Sequence, residues 1–178
     1  VHTWAWGGDE RVAYEVPARG NRIDYDWDAA GNLLERRHRT TNTATNDSSD
    51  IVHTWTYADN FQATYTDPLG NVTEYTRNAA GDVTQVDFET VTVPSTQTAS
   101  RTYSYSGSTG QLTSATDEEG KVTNYSYYSS GDDIYLLQKV EVDPSGLDLE
   151  TTYSYDAYWN VDGVTDPAEV IVADGGVV

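Results

Sequence analysis

The sequence predicts an all-β fold: repeated antiparallel β-hairpins stacked as a β-spiral or solenoid, with about four strands in each 50-residue unit. Three observations predict it: an internal repeat of about 50 residues, short segments rich in β-branched and aromatic residues, and turn motifs that end in glycine. In such an array each module packs on its neighbours. Function is therefore expected to follow from the stacked modules and not from one set of catalytic residues.

The repeat is visible as columns of aromatic, acidic and glycine residues. The recurring positions are Tyr25, Tyr75 and Tyr125; Gly31, Gly81 and Gly131; Trp55 with Tyr57, Tyr103 with Tyr105 and Tyr153 with Tyr155; Asp67 with Gly70 and Asp117 with Gly120. A single domain over residues 1–178 is predicted, made of a half unit at 1–20, full units at 21–70, 71–120 and 121–170, and a tail or the start of a next unit at 171–178.

Local residue chemistry predicts strands and turns within each unit. Residues 72–76 and 122–126 alternate β-branched and aromatic side chains with polar ones, as a half-buried strand requires. The predicted turns begin with Asp or Asn, which can accept a backbone hydrogen bond, and end with a glycine at positive φ. These turns are Asp67 to Gly70, Asn78 to Gly81, Asp117 to Gly120 and Asp143 to Gly146.

The segments that join the two hairpins of a unit are less regular. Residues 40–50 and 90–100 are rich in Thr, Ser and Asn, so we expect exposed loops that could carry a binding surface. In the third unit, Lys139 to Val142 within residues 136–149 predicts an additional hairpin.

Charge excludes several classes of partner. The chain of 178 residues carries 29 Asp and Glu against 10 Lys and Arg, a net charge of −19 that repels nucleic acid and anionic membranes. No apolar stretch is long enough to span a bilayer. With 37% hydrophobic residues, the chain is expected to fold around a core. Because its carboxylates repel one another, high ionic strength or Ca²⁺ is the expected environment, with acidity for solubility alone as the alternative.

Catalytic residues are not identifiable. The only imidazoles belong to His2, His38 and His53, and His2 and His53 occupy the same repeat position, which suits a strand-face residue better than a unique base. No phosphate-binding loop or zinc motif is present. We therefore expect no enzyme activity, no catalytic residue and no cofactor.

The repeated turn carboxylates and the aromatic ladder each have two interpretations. Asp67, Asp117, Asp143 and Asp166 could supply oxygen ligands to Ca²⁺, although turn capping explains them more simply. The rows of Tyr and Trp are typical of cross-strand stacking, and carbohydrate binding is the alternative.

Four segments resemble the tyrosine-aspartate (YD) repeats of Rhs-type proteins. They are Tyr25-Asp26-Trp27-Asp28-Ala29-Ala30-Gly31-Asn32-Leu33, Asp67-Pro68-Leu69-Gly70-Asn71-Val72-Thr73-Glu74-Tyr75, Asn78-Ala79-Ala80-Gly81-Asp82-Val83 and Tyr153-Ser154-Tyr155-Asp156. The resemblance covers roughly residues 22–167 and extends to wall-associated toxins, insecticidal toxin-complex shells and teneurins. It implies hairpins wound into a spiral shell or barrel, a scaffold outside the cytoplasm, and no activity in the repeats themselves.

The predicted function is a non-enzymatic structural module of a secreted or cell-surface YD-repeat protein that forms a wall, a stalk or a polymerising extracellular fibre. The alternatives are a segment of a toxin-encapsulating shell and an adhesin or carbohydrate-binding module. The expected partner is the chain itself, head to tail through its terminal half units, or further repeats of the same polypeptide. Residues 169–178 are predicted to donate a strand to a neighbouring molecule.

Overall fold

The structure, a computed structural model, describes residues 2–18, 20–89 and 99–167. The described residues form fourteen β-strands and no helix. The strands are β1 (Thr3–Trp6), β2 (Val12–Val16), β3 (Ile23–Trp27), β4 (Leu33–His38), β5 (Ile51–Ala58), β6 (Phe61–Thr66), β7 (Val72–Arg77), β8 (Val83–Asp87), β9 (Ser100–Tyr105), β10 (Leu112–Thr116), β11 (Val122–Tyr127), β12 (Leu137–Val142), β13 (Leu149–Tyr155) and β14 (Val161–Thr165).

The strands follow the predicted repeat. Two described strands fall in residues 1–20, and four fall in each of the predicted units at 21–70, 71–120 and 121–170. The prediction of an all-β fold with about four strands in each unit is therefore confirmed. The predicted tail at 171–178 and the predicted donor segment 169–178 lie outside the described residues.

The chain divides into two compact units, Val1–Ala99 and Ser100–Val178. In the N-terminal compact unit β1 to β8 pair antiparallel in chain order, and in the C-terminal compact unit β9 to β14 do the same. Within each compact unit every strand therefore pairs with the strands next to it in the chain, so contacts between residues close in sequence dominate the fold.

The recurring hairpin turn is explained by its sequence. In the turn that begins at Asp67, the Asp67 amide donates to the Asn71 carbonyl over 3.0 Å and the Gly70 amide donates to the Asp67 carbonyl over 3.0 Å. Gly70 has a φ of 91°, which a side chain would strain. A type I turn followed by a residue at positive φ closes a three-residue hairpin loop in this way.

Two predictions about the third unit are wrong. No additional hairpin forms within residues 136–149, because Lys139 to Val142 belong to β12, which pairs with both β11 and β13 as a regular member of the array. In the turn from Asp143 to Gly146, positive φ falls on Asp143 (53°) and not on Gly146. The Leu147 amide donates to the Asp143 carboxylate over 3.2 Å, and this bond supports the unusual conformation.

The expected core is absent from the described residues. None of their hydrophobic side chains is fully buried, and the strands of each compact unit contact only their neighbours in chain order. Within each compact unit the sheet therefore presents two faces that are only partly covered. Side chains of one strand alternate between these faces, so the cross-strand register decides which residues meet.

Candidate functional site: the aromatic face of strands β1 to β6

One face of strands β1 to β6, called here the aromatic face, gathers rings and titratable groups. Register defines it: Trp4 lies opposite Glu15, Tyr25 opposite Arg36, Arg36 opposite His53, and Trp55 opposite Tyr65. Residues directly opposite each other in an antiparallel pair project from the same face. The face therefore combines residues that lie far apart in the sequence.

Glu15 is the acidic centre of this face. Glu15 is one of the two buried polar residues among those described, at 9% exposure, and both of its carboxylate oxygens are occupied. The Tyr25 hydroxyl donates to Oε1 over 2.6 Å, and the His2 Nε2 lies 2.7 Å from Oε2. The hydrogen bond from Tyr25 lowers the pKa of Glu15, and His2 adds to this shift. Burial, followed by the bond to Glu15, raises the pKa of Tyr25 to about 12.

His53 organises the aromatic rings next to this centre. Its Nδ1 shares a hydrogen bond of 2.7 Å with the Tyr65 hydroxyl. The imidazole is nearly parallel to the rings of Trp55 and Tyr65, with centroids 6.1 Å and 5.9 Å away and interplanar angles of 17° and 15°. His38 meets His53 edge-on at 6.3 Å. Burial lowers the pKa of His38, and Arg36 and His53 lower it further.

His2 and His53 keep the equivalence that the repeat predicts. His2 bonds Glu15, the residue opposite Trp4, and His53 bonds Tyr65, the residue opposite Trp55. Each imidazole thus joins adjacent strands of its hairpin. The absence of a catalytic histidine stays a prediction, and these contacts give both imidazoles a structural role.

The opposite face of the same strands carries the ion pairs. Asp50, with a side chain only 1% exposed, accepts hydrogen bonds from the amides of Thr40 and Asp47 and pairs with Arg39 over 3.2 Å. Arg39 also pairs with Asp24. The backbone bond from Thr40 lowers the pKa of Asp50. The predicted loop at residues 40–50 exists, and these bonds fix both of its ends.

The predicted turn carboxylates of Asp67 and Asp117 accept hydrogen bonds from backbone amides of their own turns. Asp67 Oδ1 accepts from the amides of Leu69 and Asn71 over 2.8 Å and 3.0 Å, and Asp117 Oδ1 accepts from the amides two and four residues further on. Asp166 is exposed beyond β14. Within residues 2–18, 20–89 and 99–167, no group of three or more His, Cys, Asp or Glu side chains is placed to hold a metal ion. Calcium binding stays a prediction, and turn capping explains Asp67 and Asp117.

The repeated aromatic positions lie half-buried on the strands, and the glycines lie in turns. The half-buried aromatic residues are Tyr25, Trp55, Tyr57, Tyr75, Tyr103, Tyr105, Tyr125, Tyr153 and Tyr155. The turn glycines, all at positive φ, are Gly31, Gly70, Gly81, Gly120 and Gly131. The loop after Gly131 is longer than at Gly31 or Gly81, and closes through a bond from the Tyr128 amide to the Leu136 carbonyl.

A recurring clamp was not predicted from the sequence. Trp27, Arg77, Tyr127 and Tyr155 each donate a side-chain hydrogen bond to a main-chain carbonyl of the strand before, at Val12, Gln62, Leu112 and Leu137 respectively. Each acceptor lies opposite the residue at which the preceding hairpin shifts register. A β-bulge disrupts the ladder locally, so a side chain supplies the missing donor. In the sequence Trp27, Arg77 and Tyr127 recur at 50-residue spacing, and this recurrence is the feature from which the clamp could have been predicted.

Not every hairpin turn has a glycine at positive φ. In the turn from Asp156 to Asn160, Trp159 takes the position that Gly70 has in its own turn, with a φ of 64°. The indole Nε1 donates to the Asp132 carbonyl over 3.1 Å. A bulky residue at positive φ is strained, and this bond compensates part of the cost. The neighbouring Tyr158 is 82% exposed, so the turn presents two rings to solvent.

Among the described residues there is no helix with the length and apolar character that a membrane span needs. No protein-family model matches the chain, and no curated protein matches it.

Solved structures of one toxin complex share the fold. The crystal structure of TcdB2-TccC3 is 18% identical, with a TM-score of 0.73 over 94% of this chain and 9% of that chain. TcdB2-TccC3 without its hypervariable C-terminal region is 17% identical, with a TM-score of 0.72 over the same shares. The Photorhabdus luminescens Tc holotoxin pore is 17% identical, with a TM-score of 0.71, again over 94% and 9%. The fold is thus of the kind that the YD-repeat resemblance implies. The chain covers about 9% of the length of each of these matched chains.

Proposed function

We propose that the chain is a non-enzymatic structural module of a secreted or cell-surface YD-repeat protein, and that it forms a stretch of a continuous β-wall. The observation that carries the proposal is a consecutive antiparallel array without a buried apolar core in its described residues. A sheet of this kind is stable when neighbouring modules or segments cover its faces and edges. The likeness to 9% of the TcdB2-TccC3 chain supports a segment of a larger toxin-complex shell over a free-standing fibre.

The outer strands of the array support lateral continuation. Each of β1 and β14 has one pairing partner among the described strands. Trp6 in β1 is 65% exposed, and Val161 and Val164 in β14 are also exposed. Exposed apolar side chains beside free backbone donors and acceptors invite another strand. In this proposal that strand comes from further repeats of the same polypeptide, and strand exchange with a second copy is the alternative.

Cryo-electron microscopy of the full-length native polypeptide tests the proposal. The expected map shows the fourteen strands continuing, strand to strand, into further hairpins of the same chain. A protein that contains only these repeats and assembles into fibres would favour strand exchange between copies. A monomer in which the aromatic face binds and turns over a substrate would refute the proposal.

A further inference from the structure

We propose that Arg36, His38 and His53 form a binding site for an oxyanion, a carboxylate or a phosphate, on the aromatic face. This site is independent of the proposed wall function, because it depends on side chains of one repeat and not on the array.

Arg36 has no ion pair among the described residues. The side chain is half-buried between Tyr25 and His53, and its Nε is shielded from solvent without a hydrogen-bond partner among the described residues. No carboxylate of the described residues lies within ion-pair distance of it. A shielded polar group without a partner is costly, and such a group in a native protein calls for an explanation.

Nearby acids do not supply the missing partner. In strands β1 to β6 the acidic residues are Glu15, Asp24, Asp26 and Glu35. Asp24 lies opposite Arg37, and Asp26 lies opposite Glu35. These positions alternate with Tyr25 and Arg36, so Asp24, Asp26 and Glu35 project from the other face. Glu15 shares the face of Arg36, but Tyr25 and His2 already occupy its oxygens. The charge of Arg36 helps to lower the pKa of Glu15 from a distance, but the two side chains form no ion pair. The face therefore carries one carboxylate with both oxygens occupied and one guanidinium whose Nε has no hydrogen-bond partner among the described residues.

The other repeats show that the fold does not require a cation at this position. Tyr75 lies opposite Val86, and Tyr125 lies opposite Val140, in the register that places Tyr25 opposite Arg36. Valine, a strong strand former, satisfies the packing beside this tyrosine column in two repeats. Arg36 is thus a feature of one repeat, and a ligand of opposite charge gives it a purpose that packing does not.

The two imidazoles complete the site. His53 lies directly opposite Arg36, and His38 lies two residues from Arg36 on the same strand face, with the two rings 6.3 Å apart. An ionised imidazole donates two hydrogen bonds, and a guanidinium donates in a planar fork that matches an oxyanion. His2, Glu15, Tyr25 and Tyr65 are the other titratable groups facing the cluster. Because an anion favours the charged form of His38, whose pKa is lowered by burial and by Arg36, binding of a carboxylate is expected to strengthen as the pH falls below the ordinary histidine pKa of about 6.5.

The test is a titration of the whole chain with sodium phosphate at constant ionic strength. Binding is measured by calorimetry and by the shifts of the His38 and His53 imidazole signals in NMR spectra. The variant Arg36→Val carries the residue of the other two repeats. Arg101→Val removes the same charge from an exposed ion pair with Glu118 and serves as the matched control. We expect saturable binding, weakened about tenfold or more in Arg36→Val and unchanged in Arg101→Val, as for the loss of charge-assisted hydrogen bonds.

Further arms distinguish the ligand and protect the test against misfolding. Sodium acetate replaces phosphate to distinguish a carboxylate from a phosphate ligand. If Arg36→Val does not fold, His38→Gln is the second variant, and it is expected to remove most of the pH dependence of acetate binding. Binding of neither anion, equal binding by Arg36→Val and the wild type, or a response that follows only ionic strength would overturn the proposal.

Discussion

Valine substitutions at Gly70 and Gly81 separate two physical costs of the hairpin turn. Both glycines have a φ near 90°, at 91° and 94°. An added Cβ at Gly70 meets nothing within 4 Å, whereas at Gly81 it lies 2.8 Å from Cζ of Phe61. Backbone strain of an L-residue at positive φ costs about 1–2 kcal/mol, and overpacking adds about 1–3 kcal/mol. We expect Gly70→Val to lose about 1–2 kcal/mol of unfolding free energy and Gly81→Val about 2–5 kcal/mol.

Urea denaturation followed by tryptophan fluorescence measures both losses. The Phe61 ring is 48% exposed and contacts the Arg77 guanidinium, whose carbon lies 5.2 Å from the ring centroid, so moving the ring aside sacrifices this contact. Adding Phe61→Ala to Gly81→Val is therefore expected to recover the part of the loss that comes from the clash. A Gly70→Val variant as stable as the wild type would refute the backbone argument, and equal losses at the two glycines would refute the packing argument.

Three further predictions concern the clamp, the turn carboxylates and the charge. Tyr127→Phe removes the hydroxyl that donates to the Leu112 carbonyl over 2.9 Å, and it is expected to lower the unfolding free energy in urea by about 1 kcal/mol. Tyr125→Phe is the control, and an equal loss of unfolding free energy there would contradict the clamp. Hydrogen bonds to Asp67 lower the pKa of its carboxyl group. The stabilising effect of the ionised carboxylate is therefore present above the ordinary carboxyl pKa of about 3.9 and is lost as the pH falls through the lowered value. Asp67→Asn should flatten the decline in melting temperature between about pH 5 and 2, and an unchanged decline would count against this role of Asp67. Molar NaCl should raise the melting temperature because it screens the net charge of −19, whereas indifference to salt would indicate carboxylates that are already paired or metal-bound.

The strands and most turns could be predicted because their causes are local. Alternating β-branched and aromatic residues define β7 and β11, and an initial Asp followed three residues later by Gly defines the turn at Asp67. The turn at Asp143 was predicted wrongly in its details. Its first residue takes the positive φ that the pattern assigns to Gly146, since Asp also tolerates this conformation.

The candidate site could not be predicted because it depends on register. The sequence places Tyr25 and Arg36 eleven positions apart, and only the pairing of β3 with β4 brings them opposite each other. The clamp of Trp27 depends in the same way on a bulge in the preceding hairpin, which frees the Val12 carbonyl. Composition predicted a core, but composition does not say whether apolar side chains are covered within one chain or by its neighbours.

One four-strand module repeats every 50 residues, and deletion of residues 71–120 tests this repeat most directly. This deletion joins Gly70 to Lys121, the residue that follows the equivalent Gly120, and so preserves the turn. A deletion of 71–108 removes fewer residues but breaks the phase of the repeat. Amide hydrogen exchange, read residue by residue over the remaining strands, is the measurement. We expect native-like protection after the in-phase deletion and loss of protection after the out-of-phase deletion, whereas equal damage by both deletions would contradict a 50-residue module.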